Sequence, residues 1–289
     1  FIRVVNAGNI TITDTGRLKA RGDFALLNNN GVTEPIGPGG LVSLTSTGTI
    51  RVDGQIDVTG DSAGLVRLDA AGDVLLAGGS LINGVGITSF PDLGMQFTDG
   101  GELDVVSDTG TVTLSGEVVL TGSNQGTGGI VDLTAARNIV VNKPVLVSGG
   151  GGDGGEFSAL AGDNITIIGN IDADSKVGAG FGGLISMTAG ADEIGGIVAG
   201  GGVDVDSAGL LMRGSYTDQF AGDGGEVDIL ALGNIRFFGS GVAVRGGAGT
   251  NFDGSGGTLT LDSGDAGFFT LGPTDGNIEL DGTIDLGSG

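Results

Sequence analysis

Apolar residues recur with a period of two along most of this chain, in short runs that glycine opens and separates. Residues 224–246, GGEVDILALGNIRFFGSGVAVRG, hold three such runs, and residues 39–60 and 128–149 repeat nearly the same pattern. A period of two is typical of a β-strand with one buried face. The pattern therefore predicts strands in groups of three, joined by glycine-rich turns.

The repeat has a fixed register relative to a glycine before the first strand of each group. With that glycine as position zero, apolar residues stand at positions two and four with a polar residue between them, and further apolar pairs follow near positions ten and sixteen. The anchoring residues are Gly40, Gly64, Gly101, Gly129, Gly155, Gly183, Gly225 and Gly257. Residues 1–12 continue the register backwards, so the chain holds nine repeats.

A single repeat is too small to fold alone, because it can be as short as 24 residues and offers only a few inward residues per strand. Stacked repeats share one continuous core, as in solenoid proteins. We therefore predict an all-β fold, a right-handed parallel β-helix with three strands per turn and about nine turns. Residues 1–289 would form one β-solenoid domain, and the right-handed sense follows from the usual hand of parallel crossovers.

Asparagine, aspartate or threonine, usually after glycine, precedes many of the second strands. Such residues suit a corner, and their side chains would form a ladder between neighbouring turns. The ladder residues are Asn9, Thr49, Asp73, Thr111, Asn164, Asn234 and Asn277. Asn9 and Asn164 also match a glycosylation signal, and we prefer the structural role for both.

Four intervals are longer than a bare circuit and predict loop insertions near residues 22–39, 84–100, 206–223 and 262–275. Insertions in solenoids often carry binding contacts, and they equally serve as packing against the rod. Both roles stay open.

Composition narrows the classes of partner and chemistry. The net charge is −23, from 12 basic and 35 acidic residues, which predicts no nucleic-acid partner. Cysteine and histidine are absent, so the commonest general base and cysteine-based metal sites are missing. No apolar run approaches 18 residues, so we expect no membrane insertion.

Two groups of acidic residues are candidates for polysaccharide chemistry, which needs acids and bases gathered on one wall. Asp192 and Glu193 interrupt a regular strand, and Asp204 and Asp206 alternate along one. Alternating acids in a strand usually face solvent, so we expect that the chain is not an enzyme. A carbohydrate-binding or polysaccharide-degrading protein is the alternative.

Two glycine-aspartate turns are candidates for calcium binding. Asp153 with Glu156, and Asp223 with Glu226, offer the oxygen ligands that calcium prefers. Tight turns with solvated acids are the other interpretation, and no other cofactor is expected.

The stretches GNITITDTGRLKARG, residues 8–22, and GGLVSLTSTGTIRVDGQIDVTG, residues 39–60, resemble the repeats of filamentous-haemagglutinin-like bacterial exoproteins. The resemblance is one of repeat texture over essentially the whole chain. It implies a secreted, extracellular or cell-surface rod that serves adhesion or filament formation, with cell-surface glycans as partners. Neither outermost turn has a predicted cap, so we also expect end-to-end stacking of copies or a longer coil.

Overall fold

The computed structural model describes residues 1–22, 24–26, 33–35, 37–87, 97–190, 203–206, 209–214, 221–249, 251–263 and 278–288. These residues form 29 β-strands, numbered β1 to β29 in chain order, and no helix. Within the same ranges, accordingly, no helix is long and apolar enough to cross a membrane.

The first wall of the coil is a parallel sheet of nine strands, one from each turn. Its strands are β1 (Ile2–Asn6), β6 (Leu41–Ser46), β9 (Leu65–Ala70), β13 (Glu102–Ser107), β17 (Ile130–Ala135), β20 (Glu156–Ala161), β23 (Leu184–Ala189), β26 (Glu226–Ala231) and β28 (Thr258–Ser263). Neighbouring strands pair in the register that the glycine anchors predict, so that Phe157 lies beside Ile185 and Ala159 beside Met187.

The second and third walls follow the first in every turn. The second wall contains β2 (Ile10–Ile12), β7 (Ile50–Val52), β10 (Val74–Leu76), β14 (Val112–Leu114), β18 (Ile139–Val141), β21 (Ile165–Ile167) and β24 (Val203–Asp206). The third contains β3 (Arg17–Lys19), β8 (Gln55–Asp57), β11 (Leu81–Asn83), β15 (Glu117–Val119), β19 (Val145–Leu146), β22 (Ile171–Asp172) and β25 (Gly209–Leu211).

Two long strands join these walls into one sheet of 16 strands. They are β27 (Ile235–Ala243) and β29 (Ile278–Asp285), and each runs around the corner from the second wall into the third. The pairing shifts between Phe238 and Ser240, where Gly239 takes a φ of 58°. Glycine adopts that left-handed conformation without steric cost, which lets β27 bend there.

The core is the stack of inward residues from all three walls. Val66, Leu103 and Val131 are fully buried in one column, and Val74, Val112 and Ile139 are fully buried in another. In the intervening polar column Arg67 is exposed, and Asp104 and Asp132 are partly buried. The predicted parallel β-helix of three strands per turn and nine turns is confirmed.

Two of the predicted insertions contain short antiparallel strands. In the interval 22–39, β4 (Phe24–Leu26) pairs with β5 (Thr33–Pro35), and in the interval 84–100, β12 (Phe97–Thr98) pairs with β16 (Ser123–Asn124). Of the insertion at 206–223 the structure describes residues 206, 209–214 and 221–223, and the insertion at 262–275 lies outside the described residues except for residues 262 and 263.

Candidate functional site: a groove with a glycine floor

A groove of about 720 Å³ follows the corner between the third and first walls, across turns five to nine. Its floor consists of five stacked glycine pairs, one from each turn. They are Gly128–Gly129, Gly154–Gly155, Gly182–Gly183, Gly224–Gly225 and Gly256–Gly257.

The floor is bare backbone because a side chain has no room there. A Cβ atom on Gly155 would collide with the main-chain oxygens of Gly129 and Val147, and one on Gly183 would collide with that of Gly155. The chain turns at this corner so tightly that neighbouring backbones meet directly. The glycine that sets the sequence register is therefore a steric requirement of the corner.

Two columns of side chains border this floor. The column before the glycine pairs consists of Thr127, Asp153, Phe181, Asp223 and Ser255. The column after them consists of Ile130, Glu156, Leu184, Glu226 and Thr258. Turns six and eight therefore place two carboxylates each at the groove. Turn seven, between them, places the ring of Phe181 there, and that residue is 51% exposed.

The aspartates of this border, Asp153 and Asp223, also hold the turns together, as does Asp99 at the same corner of turn four. Asp99 accepts the N–H of Thr127 at 2.9 Å, Asp153 accepts that of Phe181 at 2.9 Å, and Asp223 accepts that of Ser255 at 2.6 Å. Each bond joins a carboxylate to the main chain of the next turn. Hydrogen bonds to a charged acceptor are stronger than neutral ones.

The calcium role of Asp153, Glu156, Asp223 and Glu226 stays a prediction. All four residues border the same groove, two on turn six and two on turn eight. In the part of the chain that the structure describes, no group of three or more acidic side chains could hold a metal ion. The hydrogen bonds of Asp153 and Asp223 support the other interpretation, in which these acids serve the tight turns.

Three bonds of the ladder predicted before the second strands are present, and in each a side-chain oxygen accepts a main-chain N–H of the next turn. The side-chain oxygen of Asn9 accepts the N–H of Thr49 at 3.0 Å, and that of Asp73 accepts the N–H of Thr111 at 2.8 Å. Asn138, which the glycine pattern missed because Arg137 precedes it, accepts the N–H of Asn164 at 3.2 Å. Asn277 lies outside the described residues.

The four acids considered for catalysis lie away from the groove or beyond the described ranges. Asp192 and Glu193 lie outside the described residues. Asp204 and Asp206 belong to β24, and Asp204 pairs through its main chain with Thr166 and Arg236 on the second wall.

A second cavity, of about 470 Å³, lies just beyond the ends of the third-wall strands. Three of the 12 basic residues line it. The Nε of Arg213 donates a hydrogen bond of 2.9 Å to Oδ2 of the buried Asp174. The Nζ of Lys176 lies 2.6 Å from Oδ2 of Asp172. The Nη1 of Arg245 lies 3.8 Å from Oδ2 of Asp285. The hydrogen bond to Asp174 raises the pKa of Arg213 above its usual value. Each of these three cations therefore has an acidic partner.

Sequence reasoning missed the link between Asp174 and Arg213 because the two residues are distant along the chain. Asp174 and Arg213 are 39 residues apart, and only the column register places them on adjacent turns. Aligning the repeats beyond the third strand would have paired them.

On the outer side of the first wall three acids lie close together. Asp104 and Asp132 are directly paired on β13 and β17, and Glu102 lies two residues before Asp104. Partial burial, with the neighbouring carboxylate of Asp104, raises the pKa of Asp132 despite a hydrogen bond from Ser158. Burial and the charges of Asp132 and Asp104 likewise raise the pKa of Glu102.

Comparisons of this chain with protein-family models, with curated proteins and with solved structures found no match.

Proposed function

We propose that this chain is a non-enzymatic structural rod of an extracellular surface protein, of the adhesin or filament kind. The observation that carries this proposal is the first wall, in which nine parallel strands stack in one unbroken order. Stacked turns bury a continuous core and give a surface of regular, repeating columns. Such a coil holds its corners and insertions at fixed heights along an axis, which suits a spacer or contact surface.

The acidic surface suits a rod that stays dispersed. A net charge of −23 keeps a sheet-rich protein dissolved and discourages association through its walls. The absence of cysteine means that the core and the turn-to-turn ladders supply the stability without disulfides.

Adhesion can be measured with beads that carry the chain in one orientation. Because the chain lacks cysteine, one cysteine substituted at the exposed Asp108 allows coupling at a single point. We expect these beads to be retained on bacterial or epithelial surfaces several-fold more than beads coated with an acidic control protein. Equal retention of the two kinds of bead would contradict an adhesive role.

A second candidate function, neutral-glycan binding in the groove, is favoured by Phe181. Its exposed ring lies between the carboxylate pairs of turns six and eight, over a floor without side chains. An aromatic face packs against the C–H face of a sugar ring, and carboxylates accept hydrogen bonds from its hydroxyls. The acidic border disfavours an anionic polysaccharide.

Binding of neutral glycans can be tested on a glycan array and then by calorimetry with the oligosaccharide that binds. Phe181→Ala should weaken binding at least tenfold, because it removes the only aromatic ring bordering the groove in the described part of the chain. Phe238→Ala is the matched control, since Phe238 is 41% exposed on another wall. Binding that both variants retain would place the glycan elsewhere.

Release of reducing ends would separate a binding protein from a degrading one. If the groove cleaves glycans, Glu156→Gln or Glu226→Gln should abolish the release while leaving binding intact. A rod without enzymatic activity should release none, with or without these substitutions.

A further inference from the structure

The second cavity, just beyond the ends of the third-wall strands, is lined by more positive than negative charge. Its basic lining residues are Lys176, Arg213 and Arg245, and among the described residues its one acidic lining residue is Asp174. The three basic side chains are 42%, 38% and 51% exposed, whereas the side chain of Asp174 is 3% exposed. In a chain of net charge −23 this cavity is therefore a local positive surface, which we call the basic pocket.

The buried carboxylate of Asp174 holds the guanidinium of Arg213 in one orientation. Its Oδ1 accepts the main-chain N–H of Arg213 at 2.6 Å, and its Oδ2 accepts hydrogen bonds from Nε at 2.9 Å and from Nη2 at 2.5 Å. A guanidinium has five N–H donors, and Nη1, which does not bond Asp174, carries two of them. Because Arg213 is fixed in advance, less side-chain freedom is lost when a ligand binds it.

Arg245 occupies the same column as Arg213, one turn further along the coil. Leu211 pairs with Ala243 two residues earlier, and the main-chain oxygen of Arg245 accepts the N–H of Gly214 at 3.0 Å. Neighbouring strands lie about 4.8 Å apart, so the two arginine side chains leave the coil at adjacent positions. The Nη1 of Arg245 lies 3.8 Å from its acidic partner, which is beyond hydrogen-bond distance. Two adjacent cations, the second of them loosely paired, favour an anion bound between them.

The remaining lining of the basic pocket indicates a polar ligand that is larger than a bare ion. The volume of about 470 Å³ lies within the range of roughly 300–1,000 Å³ that is usual for small-molecule sites. Apart from one alanine methyl group, the other described lining residues offer hydroxyl and main-chain polar groups, and they are Ser175, Gly214, Gly246, Gly247, Ala248 and Ser288. A ligand rich in hydroxyl groups suits these walls, whereas an aliphatic or aromatic acid would find little apolar surface to contact.

The charges around the basic pocket favour a carboxylate over a more highly charged group. A planar carboxylate accepts two parallel N–H bonds from one guanidinium. Asp174 and Asp172, whose Oδ2 lies 2.6 Å from the Nζ of Lys176, already offset part of the positive charge. A dianionic phosphate or a polyanion would be repelled by these carboxylates and by the net charge of −23, whereas a single negative charge meets less repulsion.

We propose that the basic pocket binds a sugar acid, a hydroxylated monosaccharide with one carboxylate, and that Arg213 and Arg245 hold the carboxylate. Lys176 contributes a third positive charge. This inference goes beyond the rod proposed above and depends only on the stacking of turns six to eight. Among the described residues, the basic pocket shares no lining residue with the groove that has a glycine floor, so the two are separate sites.

Calorimetric titration of the chain of residues 1–289 tests this proposal, at low ionic strength because salt screens exposed charges. The probes are glucuronate and galacturonate, each compared with its neutral counterpart, glucose or galactose, in which CH₂OH replaces the carboxylate. We expect at least one of the two acids to bind at least tenfold more tightly than its neutral counterpart. The proposal is overturned if neither acid does so.

Arg245→Gln locates the site, since it removes one of the two carboxylate-binding cations and should weaken binding of the acid at least tenfold. Arg245 is preferred to Arg213 because a substitution of Arg213 would leave the buried Asp174 without its partner. Arg67→Gln is the matched control, since Arg67 is also 51% exposed and its Nε lies 3.5 Å from a carboxylate oxygen on the first wall. Melting curves followed by circular dichroism should show that both variants fold. Equal binding of the acid by the two folded variants would contradict the assignment.

Acetate and inorganic phosphate separate a sugar-acid site from a general anion site. Acetate supplies the carboxylate without hydroxyl groups, and phosphate supplies a higher charge without a sugar ring. Each should bind at least tenfold more weakly than the sugar acid. If either binds as tightly, the ligand class is wrong, and the proposed rod is unaffected because it does not depend on this pocket.

Discussion

At the scale of single residues, the corner before the first wall depends on glycine because backbone meets backbone there. Gly154 and Gly155 show the constraint, since a Cβ on either would collide with main-chain oxygen of a neighbouring strand or turn. Gly79 shows the opposite case, because nothing lies within 4 Å of the position that a Cβ atom would take there. The same residue type is therefore indispensable at one corner and replaceable at another.

Gly155→Ala is expected to lower the free energy of unfolding by about 1–3 kcal/mol, the usual cost of forcing extra volume into a packed site. Gly79→Ala should leave it unchanged or raise it by about 0.4–1 kcal/mol, because alanine restricts the unfolded chain. Urea denaturation followed by circular dichroism measures both. Equal destabilisation by the two substitutions would contradict the assigned corner packing.

Asp153 at this corner is predicted to contribute through a single hydrogen bond to the next turn. Asp153→Ala leaves the N–H of Phe181 without its carboxylate and should cost about 1 kcal/mol. Glu156→Ala on the same turn should cost less. If instead both carboxylates bind calcium, adding calcium should raise the melting temperature and either substitution should remove that increase.

At the scale of strands, like charges face each other on the first wall. Asp104 and Asp132 are paired across β13 and β17, and the pKa of Asp132 is raised by burial and by Asp104. A raised carboxyl pKa means that the folded state binds the proton more tightly than the unfolded state. This repulsion therefore costs stability above the folded pKa and disappears as pH falls below the unfolded one.

Asp132→Asn is expected to raise the free energy of unfolding at pH 7 by about 0.2–1 kcal/mol, the range for a cross-strand pair. The gain should shrink as pH falls and vanish well below the unfolded pKa of about 3.9, where the unsubstituted carboxyl is protonated in both states. Urea denaturation at several pH values gives the comparison. Asp108→Asn, at an exposed corner, is the control and should show no such gain.

The strands and their register were predictable because each repeat carries the same local signals. Alternation in Val66, Arg67 and Leu68 identifies a one-sided strand, and Gly64 fixes where it begins. The groove was less predictable, because it forms from glycine pairs on five turns. Asp153 could be placed at a turn from sequence, but its bond to Phe181 depends on the spacing between turns.

At the scale of the whole molecule, the coil combines a regular interior with an uneven exterior. The buried columns pass through the middle turns without a break, whereas charge accumulates differently at the two ends. A regular interior is what a rod of stacked turns requires. The proposed structural function depends on the regular interior.

Negative-stain electron microscopy of the purified chain would show whether the molecule is a rod of stacked turns. At about 4.8 Å per turn, nine turns predict particles of uniform width with a length on the order of 40 Å. Round particles, or particles whose width varies with their length, would contradict a rod of stacked turns.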